Sequence, residues 1–322
     1  MSILLLREGD VRQLLTMSLA LEAVEAATRQ QAEGTAINQP RRRLSPKHGV
    51  FLHYMAAADT VRDYLGMKIY ASGPQGIRFL VPLFRGSTGE PLALIEADYL
   101  GQMRTGAASG IATRWLARQD AEKAGIIGTG LQARTQLEAI CHVREIRSIR
   151  AYGRDPARRT AFGAEMSERL KVPVMAVESA QEAVAGADIV VTATTAKEPV
   201  LKGEWLEEGS HINAIGANMA LRRELDDQAV SRAGLIVTDS KEQATEEAGD
   251  LIQTFAKDPA RWASVLELSE IIGKGHPGRS SEKQITLFKS NGIAIWDVVT
   301  AGRLYELALD RRVGCSVEFF SL

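Results

Sequence analysis

Apolar positions after Lys123 form short runs that alternate with stretches of helical periodicity. The runs lie in KAGIIG, SIRAYG, VPVMAV, ADIVVTATT, HINAIG, LIVTDS and ITLFKS. Several are apolar throughout rather than at every second position, which is typical of strands buried on both faces. Helices are predicted between most of them, including Leu131–Val143 and Pro156–Leu170. This alternation predicts a doubly wound, mostly parallel sheet of the Rossmann type.

The preceding part of the chain has a different pattern. A helix is predicted over Ser18–Glu33, with Ser18 as its N-cap. Four apolar strand segments and the turn clusters SGPQG and RGSTGEP follow, which indicates an antiparallel or mixed sheet. Further helices are predicted over Leu100–Leu116 and Ile293–Arg311, and the second carries an apolar stripe suited to packing on this first domain.

The predicted fold is therefore α/β, with a Rossmann domain inserted into a discontinuous α+β domain. The boundaries are placed so that residues 114–300 form the Rossmann domain, while residues 1–113 and 301–322 form the other domain. The apolar C-terminal segment VGCSVEFFSL is expected to dock on this second domain.

Composition removes several function classes. The 322 residues include 39 Lys and Arg against 40 Asp and Glu, so the net charge of -1 gives no reason to expect nucleic acid or membrane as a partner. No run approaches the ~18 apolar residues of a membrane span. Two cysteines cannot form a disulfide framework, which favours a reducing compartment, the cytoplasm. The five histidines show no metal-ligand spacing, so we expect no metal site.

A glycine-rich turn follows the first strand of the predicted Rossmann domain. The sequence has the form G-x-G-x-x-A and opens a predicted helix, which is the context that the dinucleotide-binding motif requires. The first glycine allows the tight turn, the second lets the backbone approach a pyrophosphate, and the helix N-terminus offers its unpaired N–H groups. The motif predicts the cofactor-binding residues Gly128, Thr129, Gly130, Leu131, Gln132 and Ala133.

The end of the next strand bears on the choice of dinucleotide. NAD-binding versions place an acidic residue there for the ribose 2′-OH, whereas this chain has Gly153 and Arg154. Asp155 precedes Pro156 and is expected to cap the following helix. Because Arg154 can meet a 2′-phosphate without a competing carboxylate, the sequence favours NADP(H) over NAD(H).

These segments together resemble the ornithine cyclodeaminase/μ-crystallin family. The resemblance covers residues 40–302 and is carried by DYLGMKIY, LGQMRTGAASGIATRWLA, GIIGTGLQARTQLEAI, HINAIGAN and ITLFKSNGIAIWDVVTA. The family includes cyclodeaminases, ketimine and imine reductases, and certain alanine dehydrogenases. The resemblance implies a homodimer in which the discontinuous domain binds substrate and forms the dimer.

The resemblance also implies which residues meet a substrate carboxylate. Lys68 matches the lysine that binds this group, and Arg104 matches an arginine that binds it near the cofactor phosphates. Arg104 and Thr105 are both expected to contact the cofactor. Arg41 matches a third carboxylate-binding residue, although Arg42 and Arg43 are alternatives within the same run. Cations that converge on one anion suit a small carboxylate substrate.

Two departures from the family pattern bear on the reaction. Cyclodeaminases carry a glutamate where this chain has His53, and an aspartate where it has Asn218. An amide cannot act as a carboxylate base or balance an ammonium. His53 could instead donate a proton or shape the pocket, and Asn218 could hydrogen-bond an imine nitrogen or the nicotinamide amide.

Residues that follow other strands are expected to complete the cofactor site. Thr194 follows the strand in ADIVVTATT, and Ser290 and Gly292 follow the strand in ITLFKS, at the carboxyl edge where α/β sheets bind ligands.

The sequence therefore predicts NADPH-dependent reduction of an α-imino acid or cyclic ketimine carboxylate to an amino acid, reversible as an amino-acid dehydrogenase. Two alternatives remain at this point. One is a cyclodeaminase that releases ammonia from ornithine or lysine with bound NAD. The other is a non-catalytic NADPH-dependent binding protein.

Overall fold

The computed structural model describes residues 2–46, 49–74, 76–273 and 275–318. The chain divides into two compact units. Unit 1 comes from Met1–Thr105 and Gly292–Leu322, and unit 2 comes from Gly106–Asn291. The predicted boundaries lay at residues 113/114 and 300/301. In the structure the chain changes units at residues 105/106 and 291/292, because residues 106–113 pack with unit 2 and residues 292–300 pack with unit 1.

Unit 1 contains a mixed eight-stranded sheet and its helices. Its elements are β1 (Ser2–Leu6), α1 (Glu8–Leu14), α2 (Met17–Glu33), β2 (Ala36–Asn38), β3 (Arg42–Leu44), β4 (Phe51–Asp59), β5 (Tyr64–Gly73), β6 (Gly76–Arg85), β7 (Pro91–Glu96), the start of α3 (Asp98–Leu116), α11 (Ala294–Arg311) and β16 (Cys315–Glu318). The strand order is β16-β1-β7-β6-β5-β4-β2, and β3 also pairs with β4.

The unit 1 sheet has two unlike faces, because successive side chains of a strand point to opposite sides. Helix α11 packs on β4 and β5 and also on α2, where the indole nitrogen of Trp296 donates to Thr28 Oγ1 at 3.1 Å. In the register of β4 and β5, His53 lies opposite Tyr70 and Met55 lies opposite Lys68. We call the α11 side the inner face and the other side the outer face.

The structure gives the start of α2 and the docking of the C-terminal segment in more detail than the sequence predicted. Helix α2 begins at Met17, one residue before Ser18, because its N-cap is Thr16, whose hydroxyl accepts from the Leu19 N–H at 3.2 Å. The C-terminal segment docks as an edge strand, with β16 antiparallel to β1. Residues 319–322 of that segment lie outside the described residues.

Unit 2 contains the predicted doubly wound sheet. Its elements are the end of α3, β8 (Lys123–Ile127), α4 (Leu131–Val143), β9 (Ser148–Tyr152), α5 (Pro156–Leu170), β10 (Val174–Ala176), α6 (Ala180–Val184), β11 (Ile189–Thr192), β12 (His211–Ala214), α7 (Asp227–Arg232), β13 (Leu235–Thr238), α8 (Lys241–Glu247), α9 (Gly249–Phe255), β14 (Leu266–Glu267), α10 (Leu268–Gly273) and β15 (Thr286–Lys289), with short 3₁₀ turns at Gly203–Trp205 and Pro259–Ser264.

All pairs in the unit 2 sheet are parallel, and the order is β10-β9-β8-β11-β12-β15-β13-β14. The strand order reverses between β8 and β11, which is the switch point where such sheets bind ligands. The predicted α/β fold with a Rossmann-type sheet is confirmed. In the part of the chain that the structure describes, no helix is both long and apolar enough to cross a membrane.

Candidate active site

A cluster of buried charges lies on the inner face of unit 1. Lys68 on β5 and Arg104 on α3 both donate to Oδ1 of Asp297, in the first turn of α11, at 2.9 Å and 3.1 Å. Lys68 and Arg104 are 3% and 5% exposed, and Asp297 is fully buried. Two cations therefore share one carboxylate oxygen away from water.

The guanidinium of Arg104 is only partly used by this arrangement. Its Nη1 atom has no hydrogen-bond partner among the described residues, and neither has Oδ2 of Asp297. The backbone turns at Gly292, with φ of +78°, and a Cβ there would lie 2.6 Å from Arg104 Nη1. Glycine at this position therefore leaves room for the guanidinium.

Of the three consecutive arginines, Arg41 is the buried one. It is 5% exposed, and its Nη2 donates to the carbonyl oxygen of Gly292 at 3.3 Å. Arg42 and Arg43 lie on β3 and are exposed. The alternatives that the sequence left open thus differ sharply in burial, and Arg41 is the one beside the cluster.

The electrostatics of the cluster act on Lys68. Burial and the charge of Arg104 lower the pKa of Lys68 to about 8, while Asp297 acts in the opposite direction. The ammonium lies 4.5 Å from the ring centre of Phe79, whose face stabilises a cation. The pKa of Lys68 therefore lies only slightly above neutral pH.

His53 lies on the same inner face and stacks on Tyr70, with ring centres 4.4 Å apart. Its Nε2 lies 3.1 Å from Ser72 Oγ, and its buried Nδ1 has no partner in the described part of the chain. Burial, Arg43 and Arg41 lower the pKa of His53 to about 4. The imidazole is thus neutral at pH 7, which removes its charged form as a proton donor.

Asp297 is the residue of this cluster that the sequence reasoning missed. An acidic residue in the first turn of a helix is adequately explained by the helix dipole, so its position alone gave no reason to select it. Only the packing of α11 on β5 brings it to Lys68, 229 positions earlier in the chain.

The glycine-rich turn of unit 2 has the geometry that the motif predicted. Gly128 has φ of +115°, and a Cβ there would lie 2.3 Å from the carbonyl oxygen of Ala193. At Gly130, which precedes α4, a Cβ would meet nothing within 4 Å. No side chain caps this end of α4, so its first N–H groups are available to an anion. Ala133 is buried and lets α4 lie close to the sheet.

The remaining residues of the turn differ in their surroundings. Thr129 lies against Gly153, where a Cβ would come within 2.6 Å of its Oγ1. Leu131 is exposed, and the buried side-chain oxygen of Gln132 has no partner among the described residues. The backbone from β9 thus passes directly beside the turn.

The two residues that follow Gly153 after β9 have different surroundings, as the sequence predicted: Asp155 is a helix cap and Arg154 is exposed. Asp155 caps α5, because its carboxylate accepts from the Arg158 N–H at 3.0 Å and Pro156 occupies the first turn. Arg154 is exposed and has no hydrogen bond or ion pair with the described residues. A charged side chain at the end of β9 is therefore available to a ligand.

Thr194 and Asn218 follow adjacent strands, β11 and β12, at the carboxyl edge of the unit 2 sheet. The backbone N–H and the hydroxyl of Thr194 both donate to Oε1 of buried Glu224, each at 2.7 Å. Asn218 is half-buried. Ser290, after β15, is buried and donates to Oδ2 of Asp239 at 2.9 Å.

The structure divides the predicted site residues between the two units. Unit 1 holds Lys68, Arg104, Arg41, His53, Thr105 and Gly292, whereas unit 2 holds the glycine-rich turn, Arg154, Thr194, Asn218 and Ser290. Thr105 is half-buried, and its hydroxyl donates to the Gly101 carbonyl at 2.7 Å. Unit 1 thus presents a cluster of buried cations, and unit 2 presents a dinucleotide-type turn. The open space at Gly130 and the uncapped α4 fit a pyrophosphate.

Comparison with known proteins decides the family. The family model for ornithine cyclodeaminase and mu-crystallin matches residues 2–312. The chain belongs to this family. A Δ1-pyrroline-2-carboxylate reductase from Bacillus cereus is 41% identical over 80% of this chain and 81% of the relative.

Two solved structures have nearly the same fold as this family member. The Δ1-pyrroline-2-carboxylate reductase of Thermococcus litoralis, in complex with NADH and L-proline, has a TM-score of 0.94 and 40% identity, covering 98% of this chain and 100% of that one. An archaeal alanine dehydrogenase dimer with bound NAD has a TM-score of 0.93 and 36% identity, covering 99% and 100%. These relatives confirm the prediction of an oxidoreductase acting on C=N or CH–NH bonds.

Proposed function

We propose that the protein reduces an α-imino acid or cyclic ketimine carboxylate to the amino acid, and that it uses NADPH in preference to NADH. The same site run backwards is an amino-acid dehydrogenase. The single observation that carries this proposal is the pair formed by Lys68 and Arg104 on one oxygen of Asp297.

Lys68 and Arg104 together carry more positive charge than the one carboxylate of Asp297 balances, so the cluster favours a bound anion. Buried cations are stable only when they are paired and hydrogen-bonded, and here two cations share one carboxylate. A substrate carboxylate would accept from Arg104 Nη1 and from the ammonium of Lys68, in charge-assisted hydrogen bonds. Arg41 lies on the same side and adds a third cation. The substrate is thereby oriented by its carboxylate.

The dinucleotide would be held by unit 2. When bound, a nicotinamide dinucleotide supplies the hydride that the imine carbon accepts. Gly128, Gly130 and the N-terminus of α4 would hold its pyrophosphate. The other half of the sheet would complete the cofactor site through residues that follow its strands, namely Thr194, Asn218 and Ser290. The NADH and NAD in the related structures support this class of cofactor.

The nitrogen side of the substrate favours reduction over cyclodeamination. His53 is neutral at pH 7 and Asn218 is an amide, so neither supplies the carboxylate that deprotonates a substrate amine. Both can form hydrogen bonds with neutral groups. Ornithine or lysine, whose side-chain ammonium needs a counter-charge, would therefore be poor substrates.

Preference for NADPH is supported by the end of β9. Arg154 is exposed and can pair with a 2′-phosphate, and the nearest carboxylate, Asp155, is engaged in capping α5. The related structures with NADH and NAD show that this fold also accepts the unphosphorylated form. NADH would therefore serve as the weaker cofactor.

We also propose a homodimer formed through the outer face of the unit 1 sheet. This face carries a patch of apolar side chains that are half-buried or exposed: Leu52, Tyr54, Met67, Ile69 and Leu80. A contiguous apolar patch on a sheet is typical of an interface. The related alanine dehydrogenase is described as a dimer. Free thiols at Cys141 and Cys315 suit a cytoplasmic enzyme.

A substrate panel tests the reductase proposal. Purified protein is incubated with NADPH or NADH and one imine source: Δ1-pyrroline-2-carboxylate, pyruvate with methylamine, or oxaloacetate with ammonia. We expect imine-dependent cofactor oxidation that Lys68→Met abolishes while NADPH binding persists. Ammonia release from ornithine, with no cofactor oxidation by any imine, would establish the cyclodeaminase instead. NADPH binding with neither reaction would indicate a binding protein.

A further inference from the structure

Three fully buried charged residues lie beneath the carboxyl edge of the unit 2 sheet and take no direct part in the proposed reaction. Glu224 lies in the loop after β12, Asp250 on α9 and Lys289 at the end of β15, and all three are 0% exposed. Burying ionisable groups is costly, so their arrangement needs a reason beyond packing.

Glu224 joins the ends of two adjacent strands. Its Oε1 accepts from the N–H and the hydroxyl of Thr194, after β11. Its Oε2 accepts from the Thr192 hydroxyl at 2.9 Å and from the N–H groups of Gly216 and Ala217, after β12, at 2.7 Å and 3.3 Å. One carboxylate thus fixes both loops through five donors.

Asp250 and Lys289 hold Glu224 and its surroundings in place. Asp250 Oδ1 accepts from the backbone N–H of Glu224 at 2.6 Å and of Leu225 at 2.8 Å. Lys289 Nζ lies 3.1 Å from Asp250 Oδ2 and donates to the Ala217 carbonyl at 2.5 Å. The network therefore extends from β11 across β12 to β15.

The two loops lie in close contact beside this carboxylate. At Gly216 a Cβ would lie 2.3 Å from the carbonyl oxygen of Thr194 and 2.5 Å from Glu224 Oε1. The chain after β12 is thus pressed against the chain after β11, and Asn218 follows two residues later. A change at Glu224 would be transmitted directly to both loops.

We propose that Glu224, supported by Asp250 and Lys289, is a positioning residue that sets the loops for the nicotinamide half of the dinucleotide. This inference rests on the proposed dinucleotide binding. The glycine-rich turn after β8 and Arg154 after β9 lie in the first half of the sheet, which takes the pyrophosphate and the adenosine ribose. The loops that Glu224 fixes follow β11 and β12 of the second half, so they serve the nicotinamide end.

Glu224→Gln isolates the carboxylate at nearly constant size. The amide keeps one acceptor oxygen but places an NH₂ group against donors, and buried donors without an acceptor are strongly destabilising. Burial raises the pKa of Glu224, while Lys289 acts in the opposite direction. The five donors nevertheless favour an acceptor-only carboxylate, which glutamine cannot replace.

A matched control lies at the opposite end of β11. Asp188 immediately precedes this strand, pairs with Arg118, and accepts from the N–H groups of Glu122 and Lys123 at 3.0 Å and 2.9 Å. It is also a carboxylate that joins neighbouring strands, but at the amino edge. Asp188→Asn therefore reports the effect of losing such a junction far from the cofactor edge.

The experiment measures dissociation constants by titration calorimetry, together with the melting temperature, for both variants and the unaltered protein. The ligands are NADPH and 2′-phospho-ADP-ribose, which lacks the nicotinamide. We expect Glu224→Gln to weaken NADPH binding by about tenfold or more and 2′-phospho-ADP-ribose by less than about twofold. Asp188→Asn should lower the melting temperature without changing the ratio of the two dissociation constants.

Equal weakening of both ligands by Glu224→Gln, or no weakening of either, would overturn the positioning role. Failure of the unaltered protein to bind either ligand would overturn the proposed cofactor itself, which is a distinct result. If Glu224→Gln does not fold, Thr192→Val removes one donor to Glu224 and should separate the two ligands in the same direction. If the folded Thr192→Val variant changes the dissociation constants of both ligands by the same factor, the inference is also overturned.

Discussion

At Lys68, the same contacts set the proton affinity of the ammonium and its proposed attraction for a substrate carboxylate. The ammonium is buried against Arg104, which weakens its hold on a proton, and it lies on Asp297, which strengthens it. Its pKa of about 8 is far below the usual value of a lysine, because burial disfavours the charged form. A carboxylate that binds here is therefore stabilised most at a pH below this value.

The pH dependence of substrate capture follows from this balance. Only the ammonium form of Lys68 attracts a carboxylate, so kcat/KM for the imine should fall as the pH rises through about 8. In Lys68→Arg the charge persists to higher pH, and the fall should move upward by more than one pH unit. Profiles of kcat/KM for the two proteins, taken with one imine, measure this difference. Coincident profiles would exclude Lys68 as the titrating group.

The proposed preference for NADPH over NADH depends on Arg154. Arg154→Asp removes the guanidinium and adds a carboxylate, so the KM for NADPH should rise by about tenfold or more and that for NADH should not rise. Arg158→Asp is the control, because Arg158 is also exposed but lies in the first turn of α5 beside Asp155. Initial rates with each cofactor give the ratio. An unchanged NADPH preference in Arg154→Asp would refute this role.

Single residues also show where sequence reasoning ends. The resemblance selected Lys68 and Arg104 and narrowed the third cation to a run of three, but burial was needed to separate Arg41 from its neighbours. Asp297 and Glu224 were not predicted, because their partners lie in distant segments or in backbone N–H groups. No residue pattern records such contacts.

At the scale of elements, the β8–turn–α4 unit carries the cofactor proposal. Gly128→Ala would place a methyl group 2.3 Å from the Ala193 carbonyl, at a φ of +115° that side chains rarely adopt. We expect dinucleotide affinity to fall by more than about tenfold, because the turn must move to relieve this contact. Titration calorimetry with NADPH measures the loss.

Gly34→Ala is the control for the strain itself. Gly34 ends α2 with a φ of +73°, and a Cβ there would meet nothing within 4 Å. This variant should lose about 1 kcal/mol of stability and keep its affinity for NADPH. Unchanged NADPH affinity in Gly128→Ala would contradict the assignment of the turn to the pyrophosphate.

Element boundaries were predictable where a local signal marks them. Helix α5 has the predicted bounds because Asp155 and Pro156 specify its start, and α4 begins directly after the glycine-rich turn. Helix α2 starts earlier than predicted because Thr16 and Ser18 are equally suitable caps, and the choice depends on packing. The local sequence therefore specifies the start of a helix only where a single residue is suited to be its cap.

At the scale of the whole molecule, unit 1 is built from both ends of the chain. The sequence predicted this discontinuity but placed one boundary inside α11, whereas the structure assigns the entire helix to unit 1. The helix packs as one body on β4, β5 and α2, so it cannot be divided. Boundaries of this kind depend on which surfaces meet, and periodicity alone does not specify the partner.

The outer face of the unit 1 sheet predicts the assembly state. Light scattering after size exclusion should give twice the mass of one chain, and Leu80→Glu should lower the dimer fraction by burying a charge in the interface. Leu221→Glu is the control, since Leu221 is an apolar residue of unit 2 with 89% exposure. A monomeric unaltered protein, or equal effects of both variants, would contradict the proposed interface.

The central claim is that hydride passes to the imine carbon of a bound carboxylate substrate. NADPH with deuterium at C4 of the nicotinamide, prepared separately with each stereochemistry, is incubated with the protein and Δ1-pyrroline-2-carboxylate, and the proline is analysed by mass spectrometry. The account predicts proline with one deuterium on Cα from one of the two labelled cofactors. Proline without deuterium from both, or no product from either with this imine and with every other imine of the substrate panel, would contradict it.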